Sequence, residues 1–356
     1  MTPSTPHANR VFYLDVVRAY AIFLVVVSHV FAPICWDMNS YSRAVWWVFN
    51  LADSVMRPCV PLFIMISGKL HLGSPHEEPY GRFVWKRYAK LVPSFFVWFM
   101  IYAYYASRTQ GSPFSPAHAV LQFLQGEDSG HLYFMYIILA LYLIAPILRA
   151  FVRTSKESDL AAVLVLWMVF LTVQFLFPEY AGSGPGVTLI DYGGYFLLGY
   201  FLDKTPGLRG KIGWLVSVSV AIVLFNACAT YVLAVRQGNE LNEKFYFGAA
   251  PLVAVYAAAA YLFLKNLNYE ALLARWSWVR PAVTRVSLES YNIYLNHLLL
   301  LGILTNGYLG FTLSHDTGGS PLIGVPLTTA VVMAGSLGLA ILLKKLPYVS
   351  RLFVIP

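Results

Sequence analysis

The sequence predicts an all-α membrane protein, a bundle of about ten transmembrane helices with both termini in the cytoplasm. Of its 356 residues, 58% are hydrophobic and only 12% are charged, a composition far from that of soluble domains. Apolar stretches of about 20 residues recur along the chain, and a helix of this length crosses a hydrocarbon core of roughly 30 Å. The stretches show no strict alternation of polar and apolar residues, so they predict helices and not barrel strands.

The spans follow one another along the whole chain. The sixth is short and rich in glycine (DYGGYFLLGYFL), which predicts a tilted or partly re-entrant helix. The stretch RAVWWVFN before the second span predicts an interfacial segment, because Trp favours the headgroup level. The ten predicted spans lie near Phe12–Ile34, Ala52–His71, Val84–Ala106, Leu132–Phe151, Leu160–Phe177, Leu189–Leu202, Ile212–Val235, Phe247–Leu264, Val283–Asn306 and Pro321–Leu343.

The cationic residues test the number of spans. With a cytoplasmic N-terminus, Lys and Arg crowd every inner loop, which is the positive-inside pattern. A missed or surplus helix would move cationic loops to the outer side, so the observed asymmetry supports ten spans. The same asymmetry accounts for the net charge of +8 by contact with anionic lipid, without nucleic acid. The outer segments hold only Arg43, Arg57, Arg108, Arg236 and Lys244.

We expect one integral membrane domain over residues 1–356. The sequence shows no soluble domain, internal repeat or phosphate-binding glycine loop. Its three cysteines lack metal-ligand or redox spacing, so no metal site is predicted. Cys35 and Cys59 both fall near the outer surface, where they form either a disulfide or two free thiols. No oligomeric state is predicted.

The first span carries three ionisable residues, Asp15, Arg18 and His29. Hydrocarbon penalises such groups by several kcal/mol, which makes them functional candidates. Arg18 and His29 are eleven positions apart, close to three helical turns, so they share one face about 16 Å apart along the axis. Asp15 lies three positions before Arg18 and is expected to pair with it. The alternative is that Asp15 and Arg18 only snorkel to the cytoplasmic surface.

A second ionisable centre lies in the ninth span, in the stretch SLESYNIYLNHLLL. His297 is placed near the middle of the membrane, and Glu289 lies closer to the cytoplasm. His297 is either a second functional histidine or a packing residue that hydrogen-bonds across helices.

The third centre is a dense group of cations before the third span, in GRFVWKRYAKLVPSFF. Arg82, Lys86, Arg87 and Lys90 are close enough in sequence to form one cationic surface. Fixed cations suit phosphate groups, so a cytoplasmic polyanion is one predicted partner. Lipid anchoring under the positive-inside rule is the other interpretation.

Stretches spread over the whole chain resemble the acyltransferase-3 family of integral membrane O-acyltransferases. YLDVVRAYAIFLVVVSHV resembles the family's first-helix signature, an Asp, an Arg and then a His. VPLFIMISGKLHL resembles its second-helix motif ending in Ser-Gly. VWKRYAKLVPSFF resembles its basic Arg-x-x-Arg stretch, here Arg87-x-x-Lys90. The family's His-Leu-Trp-Phe helix is similar to GHLYFMYIILALYLIAPIL, which has Tyr133 where Trp is commoner. Its Tyr-Leu-x-His helix is similar to SLESYNIYLNHLLL.

The resemblance implies acyl transfer, usually of acetyl, from a cytoplasmic acyl-CoA to a hydroxyl of a carbohydrate. The expected acceptors are surface polysaccharides or lipid-linked glycans. The expected location is the plasma membrane, as a multi-pass protein of a bacterial inner membrane. The chain is expected to be the membrane-only type, without the esterase-like C-terminal domain that some members carry.

The chemistry of the residues fits this activity. Histidine suits proton removal from a hydroxyl near neutral pH, so His29 is predicted as the general base. Arg87, Lys90 and Lys86 are predicted to bind the coenzyme phosphates. Arg18 is predicted to bind a phosphate or pantetheine amide, or the oxyanion that develops on the thioester.

Two questions stay open at this point. His29 or His297 either assists direct transfer or carries the acyl group transiently. The rival functions are a transporter or flippase for a glycan or lipid, and a non-catalytic membrane scaffold.

Overall fold

A computed structural model describes residues 11–36, 38–75, 78–126, 130–180, 184–347 and 349–353. Within these ranges the chain is helical and contains no strand, which confirms the all-α class. The α-helices are α1 Phe12–Trp36, α2 Arg43–Met56, α3 Cys59–Leu72, α4 Tyr80–Thr109, α5 Pro116–Gln125, α6 Tyr133–Thr154, α7 Glu157–Leu176, α8 Pro185–Lys204, α9 Ile212–Arg236, α10 Pro251–Asn266, α11 Tyr269–Arg275, α12 Val279–Thr305, α13 Pro321–Lys345 and α14 Val349–Phe353.

Each predicted span coincides with at least one of these helices. The chain is a multi-pass membrane protein, but the number of ten spans and the cytoplasmic position of both termini stay predictions. In the described part of the chain, six helical segments are long and apolar enough to cross a membrane. They are Phe12–Trp36, Arg43–Leu72, the described part of Pro116–Thr154, Glu157–Leu176, Ile212–Arg236 and Pro321–Lys345.

The second span is broken in two. α2 ends at Met56 and α3 begins at Cys59, so Arg57 and Pro58 form the turn between them. Proline has no N–H to donate to the carbonyl four residues earlier, and its ring crowds that carbonyl. The break therefore places Arg57 at an interruption inside a helical span.

The stretch predicted to lie at the interface forms the first half of α2. Trp46 is fully buried, and its Nε1–H donates to the carbonyl of Cys35 at 3.2 Å. The interfacial position of this stretch stays a prediction. Cys35 and Cys59 are both free thiols.

Helix α1 lies at the centre of the bundle and packs against α2, α3, α10, α12 and α13. Its apolar side chains are buried on several sides, as expected of a helix surrounded by others. Near its start, Asp15 is buried and accepts a hydrogen bond from the hydroxyl of Ser287 on α12 at 2.7 Å. This bond fixes the register of α1 against α12, the two helices that carry His29 and His297.

Helices α3 and α8 touch backbone to backbone. A Cβ added at Gly68 would lie 1.7 Å from the carbonyl oxygen of Phe196, and one at Gly199 would lie 2.0 Å from that of Met65. Small residues allow this close approach between membrane helices. Of the glycines in the sixth predicted span, Gly199 therefore packs against α3, whereas a Cβ at Gly194 would meet the ring of Trp167 on α7.

Gly68→Ala is expected to destabilise the protein by at least about 1–3 kcal/mol, because the new methyl meets backbone that cannot rotate away. Gly338→Ala is the matched control, since nothing lies within 4 Å of a Cβ at that helical position. We expect the control to leave the melting temperature unchanged or slightly raised, because alanine favours helix. The two melting temperatures are compared in detergent, and equal values would refute the close contact.

Candidate active site

Three histidine side chains meet inside the bundle. His29 comes from α1, His297 from α12, and His131 from the short turn of 3-10 helix that precedes α6. The His29 ring centroid lies 5.1 Å from that of His297 and 6.2 Å from that of His131, and the last two are 5.3 Å apart. His297 is fully buried, whereas His29 is partly exposed. We call these three residues the histidine cluster.

The hydrogen bonds of His29 and His297 define which ring nitrogens carry protons. The Nδ1 of His29 lies 2.7 Å from the carbonyl oxygen of Val25, and that of His297 lies 2.8 Å from the carbonyl oxygen of Tyr294. A carbonyl only accepts, so both Nδ1 atoms donate and both Nε2 atoms hold a lone pair. The Nε2 of His297 lies 3.4 Å from the Nδ1 of His29. His297 is thus a second acceptor for the proton on His29 Nδ1. The Nε2 of His29 carries the lone pair and is therefore the ring nitrogen that can accept a proton.

His29 lines a cavity of about 280 Å³ between α1, the break between α2 and α3, and the segment that precedes α10. We call it the His29 cavity. Asp53, Arg57, Glu243 and Tyr246 also line it, so it is charged as well as polar. A cavity of this size with convergent polar groups suits one small ring or side group of a larger ligand.

Arg57 is the cation of the His29 cavity. Its guanidinium pairs with the Asp53 carboxylate, donates to the carbonyl of Tyr246 at 3.3 Å, and lies over the Tyr246 ring at 4.5 Å from the centroid. Its Nε is buried and has no hydrogen-bond partner among the described residues. The side chain is therefore held from several sides, and one of its buried donors lacks a partner among the described residues.

A second group of charges lies at the opposite end of the bundle, where α1 begins. Arg87 on α4 pairs with Glu78 at 2.7 Å and lies over the ring of Phe83 at 3.5 Å. Arg149 on α6 lies over the same ring at 4.9 Å, and its Nε–H donates to the carbonyl of His71 at 2.7 Å. We call Arg87 and Arg149, together with Arg18, the arginine cluster.

Arg18 belongs to this group because its charge acts on His71 together with those of Arg87 and Arg149. The hydrogen bond from Arg87 lowers the pKa of Glu78, so this carboxylate stays ionised at neutral pH. Anions that bind the arginine cluster must therefore compete with Glu78.

The other predicted cations differ in position. The Nζ of Lys86 lies 3.9 Å from Glu78, and its side chain is 71% exposed. Lys90 is exposed on α4. Their part in coenzyme binding stays a prediction, as does the pairing of Asp15 with Arg18.

The comparison with protein-family models gives one match, in which a model of an acyltransferase domain covers residues 11–345. The match covers nearly the whole chain. The chain belongs to the acyltransferase-3 family. The resemblance read from the sequence is thereby confirmed. No curated protein and no solved structure compared with the chain gave a match.

Three residues of the candidate site are not singled out by the sequence. His131 lies in the GHLYF stretch, where the family motif itself was the available signal. Arg57 was counted among the outer cations, although its position within the predicted span Ala52–His71 marked it as an intramembrane charge. Arg149 lies near the end of the predicted span Leu132–Phe151, and it is only 7% exposed.

The cluster of three histidines also raises the question of a metal. In the described ranges, no group of at least three His, Cys, Asp or Glu side chains is arranged to hold an ion. The described geometry has the histidine cluster towards one end of the bundle and the arginine cluster at the other. Two such separated centres suit a reaction between two substrates.

Proposed function

We propose that this chain is a membrane O-acyltransferase of a bacterial inner membrane. It moves an acyl group, acetyl in the first instance, from a cytoplasmic acyl-CoA to a hydroxyl of a cell-surface or lipid-linked carbohydrate. The observation that carries the proposal is the histidine cluster: His29 lines a cavity, and its Nδ1–H has acceptors at Val25 and His297. This arrangement leaves Nε2 free to take a proton.

In the proposed reaction, the acceptor hydroxyl occupies the His29 cavity. Its oxygen attacks the carbonyl carbon of the thioester while its proton moves to Nε2 of His29. The carbon–sulfur bond then breaks, and the proton passes to the departing coenzyme thiolate. The guanidinium of Arg57, which lines the same cavity, stabilises the developing oxyanion. Arg57 is better placed for this role than Arg18, which lies about 16 Å from His29 along the helix axis.

The arginine cluster is the proposed site for the coenzyme phosphates. Guanidinium groups bind phosphate with paired, charge-assisted hydrogen bonds. Arg87, Arg149 and Arg18 all lie at the end of the bundle where the positive-inside rule places the cytoplasm. The pantetheine arm would then extend from this cluster between the helices towards the histidine cluster.

Arg87→Gln and Arg149→Gln are each expected to raise the KM for acyl-CoA by about tenfold, which corresponds to about 1.4 kcal/mol of binding free energy. The KM for the acceptor should stay the same, because the acceptor binds at the other end of the bundle. Arg108→Gln is the matched control, since Arg108 is an exposed cation at the other end of the same helix. Equal increases in both KM values would refute the coenzyme site.

The function itself is tested with the purified protein in proteoliposomes, labelled acetyl-CoA and a mixture of membrane glycans. Transfer of label to a glycan, lost in His29→Gln, is the expected result. Movement of unmodified glycan across the bilayer without transfer of label would indicate the transporter or flippase instead. Rapid quenching without acceptor separates the two mechanisms, because an acyl carrier would leave label on the protein.

A further inference from the structure

Tyr102 on α4 reaches into the backbone of α12 beside His297. Its hydroxyl donates to the carbonyl of Leu295 at 2.9 Å and accepts from the N–H of Leu299 at 3.0 Å. In an α-helix, these two backbone groups are four residues apart and would bond to each other. A hydroxyl that bonds both of them sits between them and holds that turn of α12 in its own geometry.

His297 lies at the middle of this turn. Its ring donates to the carbonyl of Tyr294, immediately before Leu295, and its Nε2 faces the Nδ1 of His29 at 3.4 Å. The direction of the ring therefore depends on the shape of the backbone that Tyr102 holds. Any change in that turn moves the Nε2 of His297 relative to His29.

Tyr102 also touches the third histidine. Its ring centroid lies 4.8 Å from that of His131, with the rings edge to face. Tyr102 thus contacts His131 directly and His297 through the backbone.

We propose that Tyr102 is a positioning residue of the acyltransferase: it sets the turn of α12 that directs His297 towards His29. The proposal rests on the proposed function, in which His29 is the base. Tyr102 itself takes no proton from the substrate. Its hydroxyl keeps the Nε2 of His297 in front of the Nδ1–H of His29. When the Nε2 of His29 takes a proton, the Nε2 of His297 then stabilises the positive ring by accepting from its Nδ1–H.

The test compares Tyr102→Phe with Tyr105→Phe. Tyr105 lies one turn further along α4, and its hydroxyl accepts from the side chain of Asn306 instead of bridging the α12 backbone. Tyr102→Phe is expected to lower kcat about 10- to 100-fold with the KM for acyl-CoA unchanged, because small misplacements of a catalytic group have effects of this size. Tyr105→Phe is expected to behave as wild type. An unchanged kcat in folded Tyr102→Phe would overturn the proposal.

A double-mutant cycle shows whether Tyr102 acts through His297. If it does, Tyr102→Phe adds no further loss of kcat to His297→Gln. A full additional loss in the double variant would assign Tyr102 to general packing and overturn the proposal. Should Tyr102→Phe fail to fold, 4-aminophenylalanine at position 102 keeps the ring and a donor. This replacement is expected to retain most of the activity, and loss of kcat in the folded protein would count against the positioning role.

An activity-independent measurement separates this proposal from the proposed function. Diethyl pyrocarbonate modifies accessible imidazoles, and mass spectrometry locates each modified residue. We expect faster modification of the fully buried His297 in Tyr102→Phe but not in Tyr105→Phe. Identical labelling of His297 in both variants would overturn the positioning role. If the wild-type protein transfers no acyl group, only the proposed function is overturned.

Discussion

His29→Gln is expected to lower kcat for acyl transfer about 10²- to 10⁴-fold, which is the range that general-base catalysis contributes. Glutamine retains hydrogen-bonding groups and comparable length but cannot take a proton near neutral pH. The KM for acyl-CoA should change little, because the arginine cluster lies at the other end of the bundle. The rates are measured with labelled acyl-CoA and saturating acceptor on protein that melts at the wild-type temperature.

His315→Gln is the control for this experiment. His315 lies between α12 and α13, where its Nε2 is 3.2 Å from the carboxylate of Asp316 and its ring faces that of Tyr41, outside the histidine cluster. We expect wild-type kcat from this variant. A folded His29→Gln protein with wild-type kcat would remove His29 from the mechanism.

The helices could be predicted from sequence because the bilayer imposes a length and a composition on each of them. The break at Pro58 was not predicted, since the apolar run around it continues on both sides. The close contact between Gly68 and Phe196 was also hidden: glycine in a span signals close approach or flexibility, and only the packing of α3 on α8 decides between them.

Some residues of the candidate site could be proposed from the sequence, for a physical reason. A buried imidazole is expensive in hydrocarbon, so His29 and His297 stood out from the sequence alone. Their contact could not be predicted, because it depends on how α1 and α12 are placed side by side. The sequence places Arg57 within the predicted span Ala52–His71, but only the fold shows that its side chain lines the same cavity as His29.

The second prediction with a large expected effect on kcat concerns Arg57. Arg57→Gln is expected to lower kcat about 10²- to 10³-fold, the loss found when a donor to an oxyanion is removed. The reason is its position: the guanidinium lines the same cavity as His29, and its buried Nε has no hydrogen-bond partner among the described residues. Single-turnover rates with labelled acyl-CoA measure the chemical step directly.

Two further variants separate the charge of Arg57 from its structural contacts. Asp53→Asn removes the carboxylate that pairs with Arg57 but keeps the guanidinium in the cavity, so we expect a much smaller loss of kcat. Arg57→Lys keeps the positive charge but loses the planar fork of donors, and it should recover only part of the activity. If Asp53→Asn lowers kcat as much as Arg57→Gln, the ion pair that shapes the cavity is the important feature. The oxyanion role of Arg57 is then wrong.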